Sequence, residues 1–171
     1  MSALTILYLV LPFPFLFVLH EAEEVVVQHR WMRKHEESLK ARFPWLRSVI
    51  IHLSSLNTKA FALAASEELL LVLGLTCYVL VDGLYAQCLW AAFMMAFSFH
   101  LMIHVIQAVA VKGYVPGLIT SLLLLPYAAY CLWSIWLVMD GPEMATLGLM
   151  GVLFMVVNLR MAHWLGRRLT E

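Results

Sequence analysis

Long apolar runs separated by short polar turns dominate the pattern of this chain. A membrane-spanning helix needs about 20 mostly apolar residues, and five segments reach this length when a few polar interruptions are allowed. They cover residues 4–27, 60–81, 85–111, 115–139 and 143–165. Turn-forming residues separate the later runs, at 82–83, 112–113 and 140–142. The pattern predicts an all-α membrane protein, a bundle of five transmembrane helices.

One long polar segment, residues 28–58, lies between the first two apolar runs. Its first part is compatible with a helix, so we expect the first helix to continue into water until Pro44 interrupts it. The following stretch mixes apolar and polar positions and reads WLRSVIIHLSSL. The sequence leaves two interpretations of it open, an amphipathic helix on the membrane surface and a solvated connector.

The composition agrees with a membrane protein and limits its size. Of 171 residues, 63% are hydrophobic and 13% are charged, whereas soluble domains are about half apolar and about a quarter charged. The length predicts one transmembrane helical domain over residues 1–171. We expect membrane lipid around this domain and no nucleic-acid partner.

The distribution of basic residues predicts the orientation. All 11 lysines and arginines lie in or beside the polar connector, the 112–113 turn or the C-terminus, and none lies in the turns at Asp82 and Asp140. Basic loops of membrane proteins stay in the cytoplasm. The N-terminus is therefore predicted outside and the C-terminus in the cytoplasm of a multi-pass membrane protein.

Polar and ionisable groups of four predicted spans share one depth. Counted at about 1.5 Å per residue from the basic residues at the cytoplasmic boundary, they lie about 6 to 18 Å inside the apolar layer. They are His20, Glu24, Glu67, Glu68, His100, His104, Asn158 and His163. Because a charge near the bilayer centre costs roughly 2.5 to 3.5 kcal/mol, this concentration predicts a functional site.

The spacing of the histidines predicts a metal site. His100 and His104 are one helical turn apart, so two imidazoles on one face can bind one ion. His20 and Glu24 have the same spacing on the first span. These four residues are the predicted ligands, and their mixed nitrogen and oxygen atoms suit zinc or non-haem iron.

Three short motifs follow one another along the chain. They are His20-x-x-Glu23-Glu24, a later histidine at position 100 or 104, and Tyr114-Val115-Pro116-Gly117. Their order resembles the HXXEE family of bacterial membrane proteins, over roughly residues 5 to 160. The resemblance implies a location in the bacterial inner membrane and a shared site. It implies no particular reaction, because the family has no established activity.

The resemblance adds the Tyr114 turn to the candidate site. Pro116 suits the first turn of the fourth span, where its missing N–H would be unpaired in any case, and Gly117 permits close backbone approach. Tyr114 either lies at the membrane interface, as tyrosine commonly does, or extends its hydroxyl into the polar layer as a catalytic group.

The predicted function is a membrane-embedded, metal-dependent enzyme that acts on a lipophilic substrate in the cytoplasmic half of the bilayer. Glu23, Glu67 and Tyr114 are the predicted catalytic residues, and the two carboxylates act as a general base or as further ligands. The sequence does not choose among hydrolysis, isomerisation and oxidation.

Other functions use the same polar layer. A metal-free enzyme could pair a carboxylate with an imidazole for acid–base chemistry. A carrier could bind ions or protons there, although the chain shows no inverted repeat and no polar path in its outer half. The layer could also dock a partner membrane protein. A haem held by two histidines is disfavoured by the adjacent glutamates.

Overall fold

A computed structural model describes residues 6–170 of the chain. Helices form most of this range, which contains no β-strand. The six α-helices are α1 Pro12–Arg42, α2 Arg47–Ser55, α3 Thr58–Leu80, α4 Ala86–Val111, α5 Leu118–Trp136 and α6 Gly141–Thr170. A π-type segment, Ile6–Val10, precedes α1, and a 3-10 turn, Pro44–Leu46, precedes α2. The predicted start of the first span, Leu4, lies outside the described residues.

Four helices, α3 to α6, are long and apolar enough to cross a membrane. They overlap the four later predicted spans, as expected for an all-helical, multi-pass membrane protein. The first predicted span lies within α1, which has 31 residues. This helix differs from the other four because its apolar part carries Glu21, Glu23 and Glu24.

The polar connector is helical for most of its length. As predicted, the first helix continues into the connector and ends at Arg42, just before Pro44. The mixed stretch that follows is also helical and forms α2. Ile50 is buried on its inner face, whereas Val49 and Ile51 remain exposed.

The helices pack around α4, which contacts α3, α5 and α6. On its own side of the bundle, α1 packs against α2, α3 and α5. Two glycines let α6 approach its neighbours closely: a Cβ at Gly151 would overlap the Ala92 carbonyl, and one at Gly166 would overlap the Ala60 carbonyl. Such small residues favour van der Waals packing between membrane helices.

The largest apolar core lies in the half of the bundle that contains the start of α1. Phe13, Met94 and Leu101 are fully buried there. The rings of Phe13 and Phe97 pack edge to face with centroids 5.2 Å apart. The polar side chains of α1, α3, α4 and α6 lie about one to two helical turns from this apolar core. The layer of ionisable groups therefore packs directly against a well-packed apolar half.

Candidate metal centre

Four of the predicted site residues come together between two helices. His20 and Glu24 lie one turn apart on α1, and His100 and His104 lie one turn apart on α4, so each pair shares a helix face. Their ligand atoms all lie within 4.8 Å of one another. His20, Glu24 and His104 are buried and His100 is partly buried. We call these four residues the histidine group, and its arrangement could hold a metal ion.

The distances within the histidine group suit a metal better than hydrogen bonds alone. His100 Nε2 lies 3.1 Å from His20 Nε2 and 3.0 Å from His104 Nε2. Because a ring nitrogen carries either one proton or one lone pair, it cannot form a linear hydrogen bond to both neighbours. With zinc–nitrogen bonds of about 2.0 Å, the nitrogens of a tetrahedral site lie about 3.3 Å apart.

Glu24 supplies the only carboxylate of the histidine group. One of its oxygens lies 3.6 Å from His104 Nε2, and the other lies 3.7 Å from His100 Nε2. Three neutral imidazoles and one carboxylate form a donor set that both zinc and iron accept. The residues present therefore fit a divalent transition metal.

Thr120, near the start of α5, determines which nitrogen of His20 carries its proton. The Thr120 hydroxyl has one proton and donates it to Glu23 Oε2 at 2.6 Å. It therefore accepts at its 2.9 Å contact with His20 Nδ1, and Nδ1 must be the protonated nitrogen. His20 Nε2 is left with a lone pair directed at the histidine group, as in metal-binding histidines oriented by an outer partner.

Glu23 lies beside the histidine group and joins α1 to α5. Its carboxylate accepts hydrogen bonds from the N–H groups of Thr120 at 2.8 Å and Ile119 at 3.3 Å, and from the Tyr114 hydroxyl at 2.7 Å. A carboxylate is favoured at a helix N-terminus, where N–H groups lack partners within the helix. The predicted role of Glu23 as base or extra ligand stays a prediction, and its contacts give it a positioning role.

Tyr114 connects the third motif to the first. Its hydroxyl reaches the polar layer, which is one of the two alternatives that the sequence left open, and it donates to Glu23. Desolvation and then the hydrogen bond to Glu23 raise the pKa of Tyr114 above its usual range, so the phenol remains a donor. The catalytic role predicted for Tyr114 stays a prediction.

The turn before α5 holds His104 in place. The prediction that Pro116 lies in the first helical turn is wrong: α5 begins at Leu118, because its N-cap Gly117 has a left-handed φ of +80° that a helix cannot continue. A Cβ on Gly117 would lie 2.8 Å from His104 Cε1. The His104 ring packs against Gly117 and lies beside the Pro116 backbone, so this turn positions the ring.

The two glutamates of α3 have different surroundings. Glu67 accepts a hydrogen bond from Asn158 Nδ2 at 3.1 Å, which ties α3 to α6. Glu68 lines a cavity together with His100, and its buried Oε1 has no hydrogen-bond partner within the described part of the chain. The base or ligand role predicted for Glu67 stays a prediction, and Glu68 is the glutamate of α3 that shares a cavity with the histidine group.

This cavity connects the apolar half of the bundle with the histidine group. It has a volume of about 70 Å³ and lies between α1, α3, α4 and α6. Five aromatic side chains line it: Phe13, Phe17, Phe93, Phe97 and Phe154. Its polar lining includes Glu21, Glu68 and His100. We call it the phenylalanine cavity.

A second contact between histidines joins α2 to α6. His52 Nε2 lies 3.3 Å from His163 Nδ1, and the rings of Phe61 and His163 have centroids 5.7 Å apart. Among the described residues, this pair is not part of any group of three or more metal-binding side chains. Asn158 and His163 therefore belong to different clusters, as their helical positions predict.

Sequence reasoning missed Thr120 and did not distinguish Glu68 from Glu67. Thr120 lies three residues after Gly117, and a hydroxyl at the start of a helix is more often a capping group than a partner of a distant histidine. Adjacent residues of a helix point about 100° apart, so the choice between Glu67 and Glu68 depends on how α3 is rotated against its neighbours.

Comparison with known proteins agrees with the three motifs. A family model described as a protein of unknown function with HXXEE motif matches residues 11–131, a range that includes the histidine group, Glu23 and the Tyr114 turn. No curated protein and no solved structure matches the chain. The match covers more than half of the chain, and the protein therefore belongs to the HXXEE family.

Proposed function

We propose that this protein is a membrane-embedded enzyme whose histidine group binds one divalent metal ion, zinc or iron. The observation that carries the proposal is the convergence of three imidazoles and one carboxylate from two helices. His100 Nε2 lies 3.0 to 3.7 Å from the other three side chains, and all four ligand atoms lie within 4.8 Å of one another. A bound metal would supply Lewis acidity to a polar group of the substrate. The reaction class, hydrolysis, isomerisation or oxidation, remains open.

The surrounding residues would orient the ligands before the metal binds. Thr120 holds His20 with its Nε2 lone pair directed inward, and Gly117 holds the His104 ring by contact. Glu23 keeps Thr120 in place through two hydrogen bonds. Preorganisation of this kind commonly changes metal affinity or activity by about 10- to 100-fold.

A lipophilic substrate is favoured by the phenylalanine cavity. Its wall is largely apolar and contains five phenylalanines, and its polar lining includes His100 of the histidine group. A cavity of about 150 Å³ holds benzene, so the present volume of about 70 Å³ admits only one end of a lipid. We therefore propose that a small polar end of the substrate enters and that its tail remains in the membrane.

Glu68 limits the chemistry of that polar end. Its buried Oε1 lacks a hydrogen-bond partner within residues 6–170, and a buried carboxylate oxygen without a partner costs about 1–3 kcal/mol or more. A hydroxyl or amine group of the substrate would supply the missing donor.

We also propose that the first part of α1 is a fifth membrane span. Its outward-facing Phe15, Val18 and Val26 are strongly exposed, while Glu21 and Glu24 are buried against the bundle. Membrane spans with ionisable residues direct them inward in this way. The N-terminus would then lie outside and the C-terminus in the cytoplasm of a bacterium, as the basic residues favour.

Reporter fusions test this topology. A fluorescent protein that folds only in the cytoplasm should be bright on the C-terminus, and a phosphatase active only outside should be active on the N-terminus. Activity of the reporters in the opposite arrangement, or both termini on one side, would rule out the proposed five-span orientation.

Metal content tests the proposed function. The protein would be purified without a histidine tag, loaded with zinc or iron, washed, and measured by mass spectrometry of the elements. About one metal per chain is expected for the wild type, and much less for His20→Ala and His104→Ala. His163→Ala is the matched control and should keep the metal, because the His52–His163 pair offers too few ligands.

A substrate search follows from a positive metal result. Wild-type and His104→Ala proteins would each be incubated with a bacterial lipid extract, and the lipids compared by mass spectrometry. The proposal expects a lipid that is consumed by the wild type alone. If the metal binds in the histidine group while the protein consumes no lipid of the extract and no added lipophilic alcohol or amine, the enzyme proposal fails and the metal site stands.

A further inference from the structure

A second cavity lies on the polar side of the bundle, where the extension of α1 meets the end of α4 and the following turn. Its volume is about 510 Å³. Three cationic side chains line it, Lys34, Arg42 and Lys112, and none of the described residues that line it is an aspartate or glutamate. We call it the basic cleft.

The acidic residues of the same helix do not neutralise the basic cleft. Glu36 and Glu37 both pair with Lys40, which does not line the cleft. Within residues 6–170, no carboxylate lies within ion-pair distance of the three cations of the cleft. A concave surface with three unpaired positive charges favours an anionic ligand.

The wall of the basic cleft is held by contacts of its own. Arg42 donates to the Val111 carbonyl at 3.1 Å, which joins the end of α1 to the end of α4. One such bond leaves other guanidinium N–H groups free to bind an anion. The rings of Trp31 and His35 stack with centroids 4.5 Å apart. This stacking restrains the part of the wall that lies next to the cationic side chains.

We propose that the basic cleft binds the phosphate group of an anionic membrane lipid. Arginine and lysine are the usual phosphate ligands of proteins, and the cleft begins where the apolar helix α4 ends. Trp31 and Tyr114 also line it, and both residue types are common at the level of lipid headgroups. The proposal is independent of the metal centre.

A lipid titration with charge-matched variants tests the proposal. The full chain in detergent would be titrated with phosphatidylglycerol or phosphatidylcholine and examined by native mass spectrometry. The cleft variant is Lys34→Gln with Arg42→Gln and Lys112→Gln. The control variant, Arg30→Gln with Arg33→Gln and Arg47→Gln, loses the same charge at exposed positions outside the cleft.

The expected result is saturable binding of phosphatidylglycerol that is about tenfold weaker or more in the cleft variant and little changed in the control variant. An equal loss of phosphatidylglycerol binding in both triple variants would show an effect of general surface charge and would overturn the proposal. Unchanged binding in the cleft variant would also overturn it. The double variant Lys34→Gln with Lys112→Gln keeps the Arg42–Val111 bond, so a folding defect of the triple variant cannot hide the answer.

Inorganic phosphate distinguishes the source of the phosphate group. A lipid site should keep phosphatidylglycerol when inorganic phosphate is added at the same concentration, because the phosphate ion lacks the contacts of the glycerol and acyl chains. The lipid proposal is overturned if the phosphate ion displaces the lipid and if the cleft variant also fails to bind the phosphate ion. The cleft would then be a site for free phosphate.

Discussion

Two sets of histidines join helices in the described part of this bundle, and one of them brings together enough side chains that it could hold a metal ion. The histidine group contains three imidazoles and Glu24 from α1 and α4. Thr120 is hydrogen-bonded to His20, and Gly117 packs against His104. The His52–His163 pair contains two imidazoles at 3.3 Å, with no carboxylate among the described residues in contact as an ion pair. A histidine contact between helices is therefore not by itself a metal site.

The two sets differ in the residues that contact the histidine rings from outside. His20 has Thr120 as a hydrogen-bond partner, Thr120 has Glu23, and Glu23 has Tyr114. His163 contacts the rings of Phe61 and His52, and among the described residues its side chain has no hydrogen bond other than that to His52. The first arrangement fixes which ring atom points inward, whereas the second only joins two helices.

Changes at Gly117 should have the largest effect on the histidine group. Gly117→Ala would combine a left-handed backbone with a Cβ 2.8 Å from His104 Cε1, so we expect a stability loss of about 1–3 kcal/mol and strongly reduced metal binding. Thermal unfolding in detergent and metal titration measure the two effects. Gly113→Ala is the control, because no atom lies within 4 Å of its Cβ, and equal effects at both glycines would contradict the role of Gly117.

The Thr120→Val variant should weaken metal binding by about 10- to 100-fold while the fold persists. The valine keeps the shape of the side chain but removes the acceptor for His20 Nδ1 and a donor to Glu23. Thr76→Val provides the matched control, since within residues 6–170 the buried Thr76 hydroxyl bonds only to the Val72 carbonyl of its own helix. Metal affinity that is unchanged in the Thr120 variant would show that His20 needs no partner.

Loss of the Tyr114 hydroxyl should have a smaller effect. Tyr114→Phe removes one hydrogen bond to a carboxylate, which typically contributes about 1.5–3 kcal/mol when fully buried and less at a partly exposed site such as this one. Glu23 keeps the N–H donors of α5, so we expect a modest decrease in melting temperature and in metal affinity. Tyr130→Phe, at an exposed tyrosine, should change neither, and a similar decrease there would argue against the Glu23 contact.

The His52–His163 pair should show the smallest effect, and only in acid. Burial, followed by Arg167 and Arg160, lowers the pKa of His52 below the value of about 6.5 expected when unfolded. The unfolded chain then binds a proton at His52 more tightly than the folded chain does. The stability contributed by neutral His52 is therefore complete above about pH 6.5 and is lost as the pH falls through the folded pKa. Melting temperatures of wild type and His52→Gln across this range should converge in acid, and parallel curves would refute the assignment.

Much of the fold follows from local pattern. The apolar runs predicted the positions of α3 to α6, and the helical character of the connector up to Pro44 followed from its residue types. The start of α5 did not follow, because Gly117 takes a left-handed conformation and lies against the ring of His104 from another helix. Helix ends that are determined by a contact with another helix leave little trace in the local sequence.

The convergence of the four side chains in the histidine group was predictable, because two pairs with one-turn spacing lay at one depth. His20 with Glu24, and His100 with His104, each satisfy the one-turn spacing, and the bundle had to direct both pairs inward. The partner of His20 was not predictable, since Thr120 follows His20 by 100 residues and its hydroxyl is a common type. The rotation of α3, which separates Glu67 from Glu68, likewise depends on its contact with α6.

X-ray absorption at the edge of the bound metal tests the central claim most directly. The untagged protein, loaded with zinc or iron, should show imidazole scattering with nitrogen and oxygen ligands at about 2.0–2.2 Å, and this signal should disappear in His104→Ala but remain in His163→Ala. Sulfur ligands at about 2.3 Å, or the same spectrum in both variants, would place the metal elsewhere and contradict the histidine group as its site.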